Sequence, residues 1–176
     1  MRGAKRRVAL VGMRGSGKTT VGREFARVTG LAWRDTDEVL AAEAGMPAGE
    51  VLRTEGEPAF REREGRIAAA LLQDDKVLVV SLGGGAVLSA ATRQLLLRPC
   101  TFTVLLHAPL DVLAARIRAG RDERPPLTDL PLEGELAELW RVREPLYRDV
   151  ADSVVDTAAM EPLACAGMIL AEFMVG

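Results

Sequence analysis

The chain has 176 residues, 48% hydrophobic and 27% charged, the proportions of a soluble globular protein built as one compact domain. Its formal net charge of −2 excludes a nucleic-acid binder that works by bulk electrostatics. No apolar run reaches the ~18 residues of a membrane span, the basic start lacks the apolar stretch of a signal peptide, and Cys100 and Cys165 read as buried hydrophobes in a reducing compartment, so a cytoplasmic enzyme is expected.

Arg7-Val8-Ala9-Leu10-Val11 predicts a short apolar strand. Gly12-Met13-Arg14-Gly15-Ser16-Gly17-Lys18-Thr19-Thr20 follows and fits G-x-x-x-x-G-K-[ST], after which Val21, Phe25 and Val28 recur at helical spacing. Strand, glycine-rich loop and helix stand in the order that a phosphate-binding loop requires. Gly12, Gly15 and Gly17 let consecutive N–H groups converge on one anion, and the following helix adds its positive dipole end. In such a loop Lys18 reaches the β- and γ-phosphates and the Thr19 hydroxyl ligates Mg²⁺. Ser16 and Thr20 complete the expected nucleotide-binding stretch.

Residues 31–34 predict a second strand ending in Asp35-Thr36-Asp37, followed by helices over 38–44, 48–54 and 58–72. Val77-Leu78-Val79-Val80 is an unbroken apolar run, as expected of a strand covered on both faces, and it empties into Ser81-Leu82-Gly83-Gly84-Gly85. Ser89 can cap a helix running to Leu97, and 101–106 is a β-branched and aliphatic strand. Pro109 fits the first turn of a helix to Arg118. Residues 119–131 carry Gly/Pro clusters and charge without periodicity and read as a lid. A helix over 132–147, a strand at Val154-Val155 and a helix over 162–174 complete the chain. This alternation predicts an α/β three-layer sandwich with a five-stranded parallel sheet and right-handed crossovers, in a single domain over 1–176.

Ligands of open parallel sheets bind beyond the carboxyl ends of the strands. Three expected loops lie there: the phosphate loop, Asp35-Thr36-Asp37 and Gly83-Gly84-Gly85. Many phosphate-loop proteins place a magnesium-organising Asp at the end of a long apolar strand, whereas here that strand ends in Ser81. Asp35 is then the carboxylate near the metal, acting through water, and Asp37 faces an acceptor. His107, the only histidine, reads as structural.

The phosphate loop, Asp35-Thr36-Asp37, Phe60-Arg61-x-x-Glu64, Ser81-Leu82-Gly83-Gly84-Gly85-Ala86, Arg124-Pro-x-Leu and Arg143-x-Pro-Leu-Tyr together resemble the shikimate kinases, in order and approximate spacing. The resemblance implies a nucleoside-monophosphate-kinase-like fold and a monomer with shikimate and ATP as its small-molecule substrates. It implies phosphorylation of the 3-hydroxyl of shikimate, with ATP as co-substrate and one Mg²⁺ per subunit. Lys18, Asp37 and Arg124 are then catalytic, Asp37 accepting the hydroxyl proton and Arg124 coming from the lid. Arg61 and Arg143 clamp the substrate carboxylate, and Gly83, Gly84 and Gly85 line the substrate. Thr19 binds the metal directly, and Asp35 does so through water. A guanidinium fork suits a carboxylate, and Glu64, three residues after Arg61, can hold that fork in place. Neither arginine shows an acidic partner beyond Glu64.

The chain departs from the family where Ala158-Ala159-Met160-Glu161 replaces a loop that often carries an arginine. Adenine contact then falls to Arg116 or Arg118 and the region of Pro162. A gluconate-kinase-like enzyme is the nearest alternative, and a non-catalytic ATP-binding regulatory module is another. The acceptor set Asp37, Arg61 and Arg143 speaks against the second.

Overall fold

The computed structural model describes residues 6–120 and 126–175. Its first strand, β1 (Arg7–Val11), is buried along its whole length. The pleat sends Val8 and Leu10 into one hydrophobic cluster and Ala9 and Val11 into another, so apolar side chains point both ways and a layer must cover each face. The sheet is completed by β2 (Trp33–Asp35), β3 (Val79–Ser81), β4 (Thr101–His107) and β5 (Ser153–Asp156). The strand order is β2-β3-β1-β4-β5, and all four registered pairs are parallel. This is the expected five-stranded three-layer α/β architecture.

The helices are α1 (Lys18–Thr29), α2 (Thr36–Ala44), α3 (Ala48–Gln73), α4 (Ala90–Leu96), α5 (Leu110–Ala119), α6 (Leu132–Val150) and α7 (Pro162–Val175). Phe25 of α1 and Ile169 of α7 fill the cluster with Val8 and Leu10, whereas Leu72 of α3, Leu96 of α4 and Leu136 of α6 fill the other. Among the described residues no helix is long and apolar enough to cross a membrane.

Several boundaries differ from the sequence expectation, each for a local reason. β2 starts at Trp33 and not at 31, because the Leu31 N–H is spent on Thr29 Oγ1 at the end of α1. α2 starts at Thr36 because Asp35 caps it, its side chain accepting the Asp37 N–H at 2.9 Å. β3 starts at Val79 because the Val77 N–H bonds back to Asp74 and the Val77 carbonyl accepts from Arg7. The two helices expected at 48–54 and 58–72 are continuous in α3 except at Gly56, whose φ of 81° breaks the helical path. Pro109 is the cap residue just before α5 and not part of its first turn. Ser89 caps α4 as expected, accepting the Thr92 N–H.

Arg7 is 6% exposed on a strand that otherwise reads as purely apolar. Its guanidinium donates to the carbonyls of Leu72, Val77 and Asp74, tying the end of α3 to the start of β3 and to β1. Arg7→Met should leave those carbonyls without their charged donor and lower stability by roughly 2–4 kcal/mol. The change should appear as a lower urea midpoint with an unchanged denaturant slope. An unaltered midpoint would mean that the bonds add nothing net.

Candidate active site

At the carboxyl end of β1 the chain turns through Gly12, Gly15 and Gly17, with φ of 143°, 81° and 90°, all conformations that a side chain disfavours. A Cβ on Gly12 would lie 2.3 Å from the Leu106 carbonyl oxygen, so the loop presses against β4 as bare backbone. Lys18 opens α1 and its Nζ donates to the Gly12 and Met13 carbonyls at 2.9 and 2.8 Å. The ammonium therefore lies over the loop that an anion would enter. Ser16 Oγ is buried with no hydrogen-bond partner among the described residues, a hydroxyl that a phosphate oxygen would satisfy.

Asp35 ends β2 and is 4% exposed, with one oxygen on the Asp37 N–H and the other accepting from the Thr19 hydroxyl at 2.7 Å. Burial pushes the Asp35 carboxyl up from its ordinary value, with the neighbouring Asp37 charge adding to that and the Thr19 bond opposing it. Asp35 pairs in register with Ser81, so the carboxylate stands one strand over from the position that Ser81 occupies at the end of β3. Ser81 has a structural task instead: its Oγ donates to the Lys18 carbonyl at 2.9 Å and accepts from Trp33 Nε1 at 3.0 Å.

Among the described residues no three His, Cys, Asp or Glu side chains gather as a metal site. The Thr19 hydroxyl and the Asp35 carboxylate, bonded to each other, are both hard oxygen donors. That set suits Mg²⁺, which keeps several waters and takes further ligands from phosphates.

A cavity of about 640 Å³ opens over these groups, with Lys18, Thr19, Asp35 and Asp37 on one side and the 157–162 segment on the other. Arg116 lines it and donates to Thr157 Oγ1 at 2.9 Å and to the Thr157 carbonyl at 2.6 Å. Arg118, the other arginine considered for this subsite, pairs with Glu133 at the surface and does not line the cavity. Pro162 is in its wall.

Beside it a cleft of about 40 Å³ is bounded by Phe60, Arg61, Glu64, Gly85 and Arg143, and Gly84 belongs to both spaces. The glycines let four elements meet here. A Cβ on Gly83 would lie 2.2 Å from Glu64 Oε1 and 3.3 Å from Asp37 Oδ1. On Gly85 it would lie 2.0 Å from Arg61 Nη1, and on Gly84 it would lie 3.6 Å from Arg143 Nη1. Arg61 is held by Glu64 at 2.7 Å and also by Glu57 at 3.3 Å, so Glu64 is not its only acidic partner.

Arg143, 5% exposed, has its pKa pushed down by burial; the Tyr147 hydroxyl opposes that shift and the Arg61 charge adds to it. Tyr147 donates to the Gly84 carbonyl at 2.6 Å, and burial pushes its phenol up to about 12. An anion would relieve the repulsion between Arg61 and Arg143.

The structure thus gathers the phosphate loop, Asp35, Asp37, Arg61, Gly83 to Gly85, Arg116, Arg143 and Pro162 around these two spaces and leaves Arg118 apart from them; Arg124 lies outside the described residues. His107 packs against Trp140 at a ring separation of 5.0 Å, away from both cavities. The sequence pattern assigns no role to Arg14, Tyr147 or Glu135, yet all three sit at the site. For Glu135 and Tyr147 the signal was helical spacing, since they lie eight residues before and four after Arg143, on its face of α6; Arg14, in the loop, carried none.

A glycine-rich phosphate loop on a parallel sheet, beside a pocket with paired arginines, defines a phosphoryl-transfer enzyme of the P-loop kinase class. The shikimate kinase family model matches residues 14–173. Shikimate kinase 2 of Sodalis glossinidius is 42% identical over 151 residues, 85% of each chain. Shikimate kinase 2 of Dickeya chrysanthemi is 42% identical over 159 residues, 89% of this chain and 90% of that one. A shikimate kinase from Acinetobacter baumannii, solved in complex with shikimate, superposes with a TM-score of 0.88 at 32% identity, covering 97% of this chain and 94% of that one. The chain belongs to the shikimate kinase family.

Gly85 has a φ of −91°, which any residue adopts, so its need for glycine is purely steric. Gly85→Ala should force the Arg61 guanidinium aside, weaken acceptor binding by roughly tenfold or more, and leave nucleotide affinity unchanged by calorimetry. Equal acceptor affinity in the variant would show that Arg61 gives way freely.

Proposed function

We propose that the protein transfers the γ-phosphoryl group of ATP to the 3-hydroxyl of shikimate, giving shikimate 3-phosphate and ADP on the route to chorismate and the aromatic amino acids. It acts as a monomeric single-domain enzyme of the cytoplasm. The observation that carries this reading is the meeting of Asp37, Arg61 and Arg143 around Gly83–Gly85, directly beside the phosphate loop. The Acinetobacter neighbour solved with shikimate supports it.

ATP occupies the larger cavity with its phosphates on Gly12, Gly15, Ser16, Gly17, Lys18, Thr19 and Thr20 and its base near Arg116 and Pro162. Thr19, with Asp35 through water, would hold one Mg²⁺, which when bound neutralises charge on the phosphates and leaves their oxygens in fixed geometry. Arg61 and Arg143 fix the shikimate carboxylate, and the backbone of Gly83, Gly84 and Gly85 lines the ring. This places the 3-hydroxyl against Asp37, which lines the nucleotide cavity together with Lys18.

As the bond from the hydroxyl oxygen to the γ-phosphorus forms and the bond to ADP breaks, the hydroxyl proton passes to the Asp37 carboxylate. The transition state is loose, so orientation and charge neutralisation by Lys18 outweigh basicity. From the resemblance, the lid at 119–131 supplies Arg124 to the same charge and excludes water; residues 121–125 lie outside the described part of the chain.

ADP release measured with shikimate, with gluconate and with neither acceptor tests the assignment. Shikimate alone should support turnover. Turnover with gluconate alone would favour the gluconate-kinase-like alternative, and acceptor-independent hydrolysis would favour the regulatory module. Asp37→Asn should lower kcat by about 10²–10⁴-fold while nucleotide still binds. Asp35→Asn should instead raise the magnesium concentration needed for half-maximal rate. The same magnesium dependence in both variants would contradict this division of roles.

A further inference from the structure

Glu135 lies in the first turn of α6 and is 1% exposed. Its Oε2 accepts the N–H groups of Leu127 and Thr128 at 2.7 and 3.2 Å, and its Oε1 accepts from Arg14 Nη2 at 3.3 Å. Burying a carboxylate is costly, and an apolar pair of similar volume would usually do as well for stability. The phosphate-loop pattern places no requirement on position 14, whose backbone curls without a charged side chain. The disposition of the two oxygens is therefore informative, because each one holds a different element of the site.

Arg14 lines both the 640 Å³ cavity and the small cleft, and Leu127 lines the cleft. The Arg14 N atom also lies 3.5 Å from where a Cβ on Gly84 would stand, at the junction of the two spaces. One buried carboxylate thus spans from the turn that surrounds the phosphates to the wall that faces the acceptor. Its place at the start of α6 favours negative charge there.

We propose that Glu135 is a positioning residue that couples the two binding spaces, acting through Arg14 on the phosphate loop and through the 127–128 backbone on the acceptor wall. Nucleotide in the loop fixes Arg14, Arg14 fixes Glu135, and Glu135 fixes the wall against which the acceptor lies. Acceptor affinity then depends on whether the nucleotide site is filled, and by linkage the dependence is reciprocal. The identities of the two ligands rest on the function proposed above.

Shikimate affinity measured calorimetrically with and without saturating Mg·ADP tests this. In the unaltered protein ADP should tighten shikimate binding. In Glu135→Gln, whose amide can face only one of its two sets of donors with an oxygen, that enhancement should shrink by about tenfold, while affinity for ADP alone stays within about twofold. KM for shikimate should rise more than kcat falls. Arg14→Met, which keeps the chain's bulk without its charge, should lose the same enhancement, and the double variant should lose no more than either single one. An undiminished enhancement in both single variants would overturn the proposal. So would a uniform loss of affinity for both ligands together with a lower urea midpoint, the mark of a merely structural pair. If the unaltered protein binds no shikimate at all, the functional reading falls as well; if it does and the variants match it, the coupling alone is wrong.

Discussion

Bare backbone at the ends of two adjacent strands is the constraint on which the site depends. Gly12, after β1, admits no Cβ because the Leu106 carbonyl oxygen stands 2.3 Å from where it would be, and at Gly85, after β3, a Cβ would displace the Arg61 guanidinium, which stands 2.0 Å away. A methyl group at Gly12 would meet fixed backbone, and one at Gly85 would meet a side-chain end that must move to admit it. What the chain gains is close approach: peptide N–H groups can face phosphate at one loop, and charged side chains from α3 and α6 can converge at the other. Glu64 illustrates the consequence. It is 3% exposed, and its carboxylate has space only because Gly83 and Gly85 are both glycines.

The sheet order makes that convergence productive. With β1 central and β3 beside it, the two glycine loops are neighbours, and β2 on the far side of β3 delivers Asp35 and Asp37 to the same edge. The passage from β2 into α2 then divides the two carboxylates. Asp35 turns to Thr19 and caps α2, whereas Asp37, inside the first turn of that helix, reaches the space between the glycine run and Lys18. Two adjoining cavities with Gly84 in common are the geometry that transfer from a donor to an acceptor requires, since reacting groups held in contact avoid most of the entropic cost of meeting.

Much of this was legible in the sequence because its causes are local. Five strands, the phosphate loop and the helix spacing follow from runs of a few residues, and Glu64 was readable as the support of Arg61 because both lie on one helix face. The missing acid at Ser81 pointed to Asp35 for the same reason, through what the strand end itself contains. The rest was hidden because its causes are distant in the chain. Arg7 looked like the edge of an apolar strand, and its role rests on carbonyls 65 to 70 residues away. Glu135 falls inside the helix expected over 132–147 with no local pattern to single it out, and its partner Arg14 is 121 residues distant. Glu57 was separated from Arg61 by the expected gap between two helices, and only the near-continuity of α3 after Gly56 brings it four residues back on the same face.

The central claim is that Arg61 and Arg143 are held near each other to receive a carboxylate. The most direct measurement is a double cycle of shikimate against its methyl ester in the unaltered enzyme and in Arg143→Ala. The ester keeps the reacting hydroxyl and removes the negative charge. Each change alone should lower kcat/KM by about ten- to a few hundred-fold, with ATP affinity preserved, as expected for one or two charge-assisted bonds of roughly 1.5–3 kcal/mol each. Together they should cost little more than either one, because both remove the same contact. Fully independent losses would contradict the account and mean that Arg143 holds something other than the carboxylate.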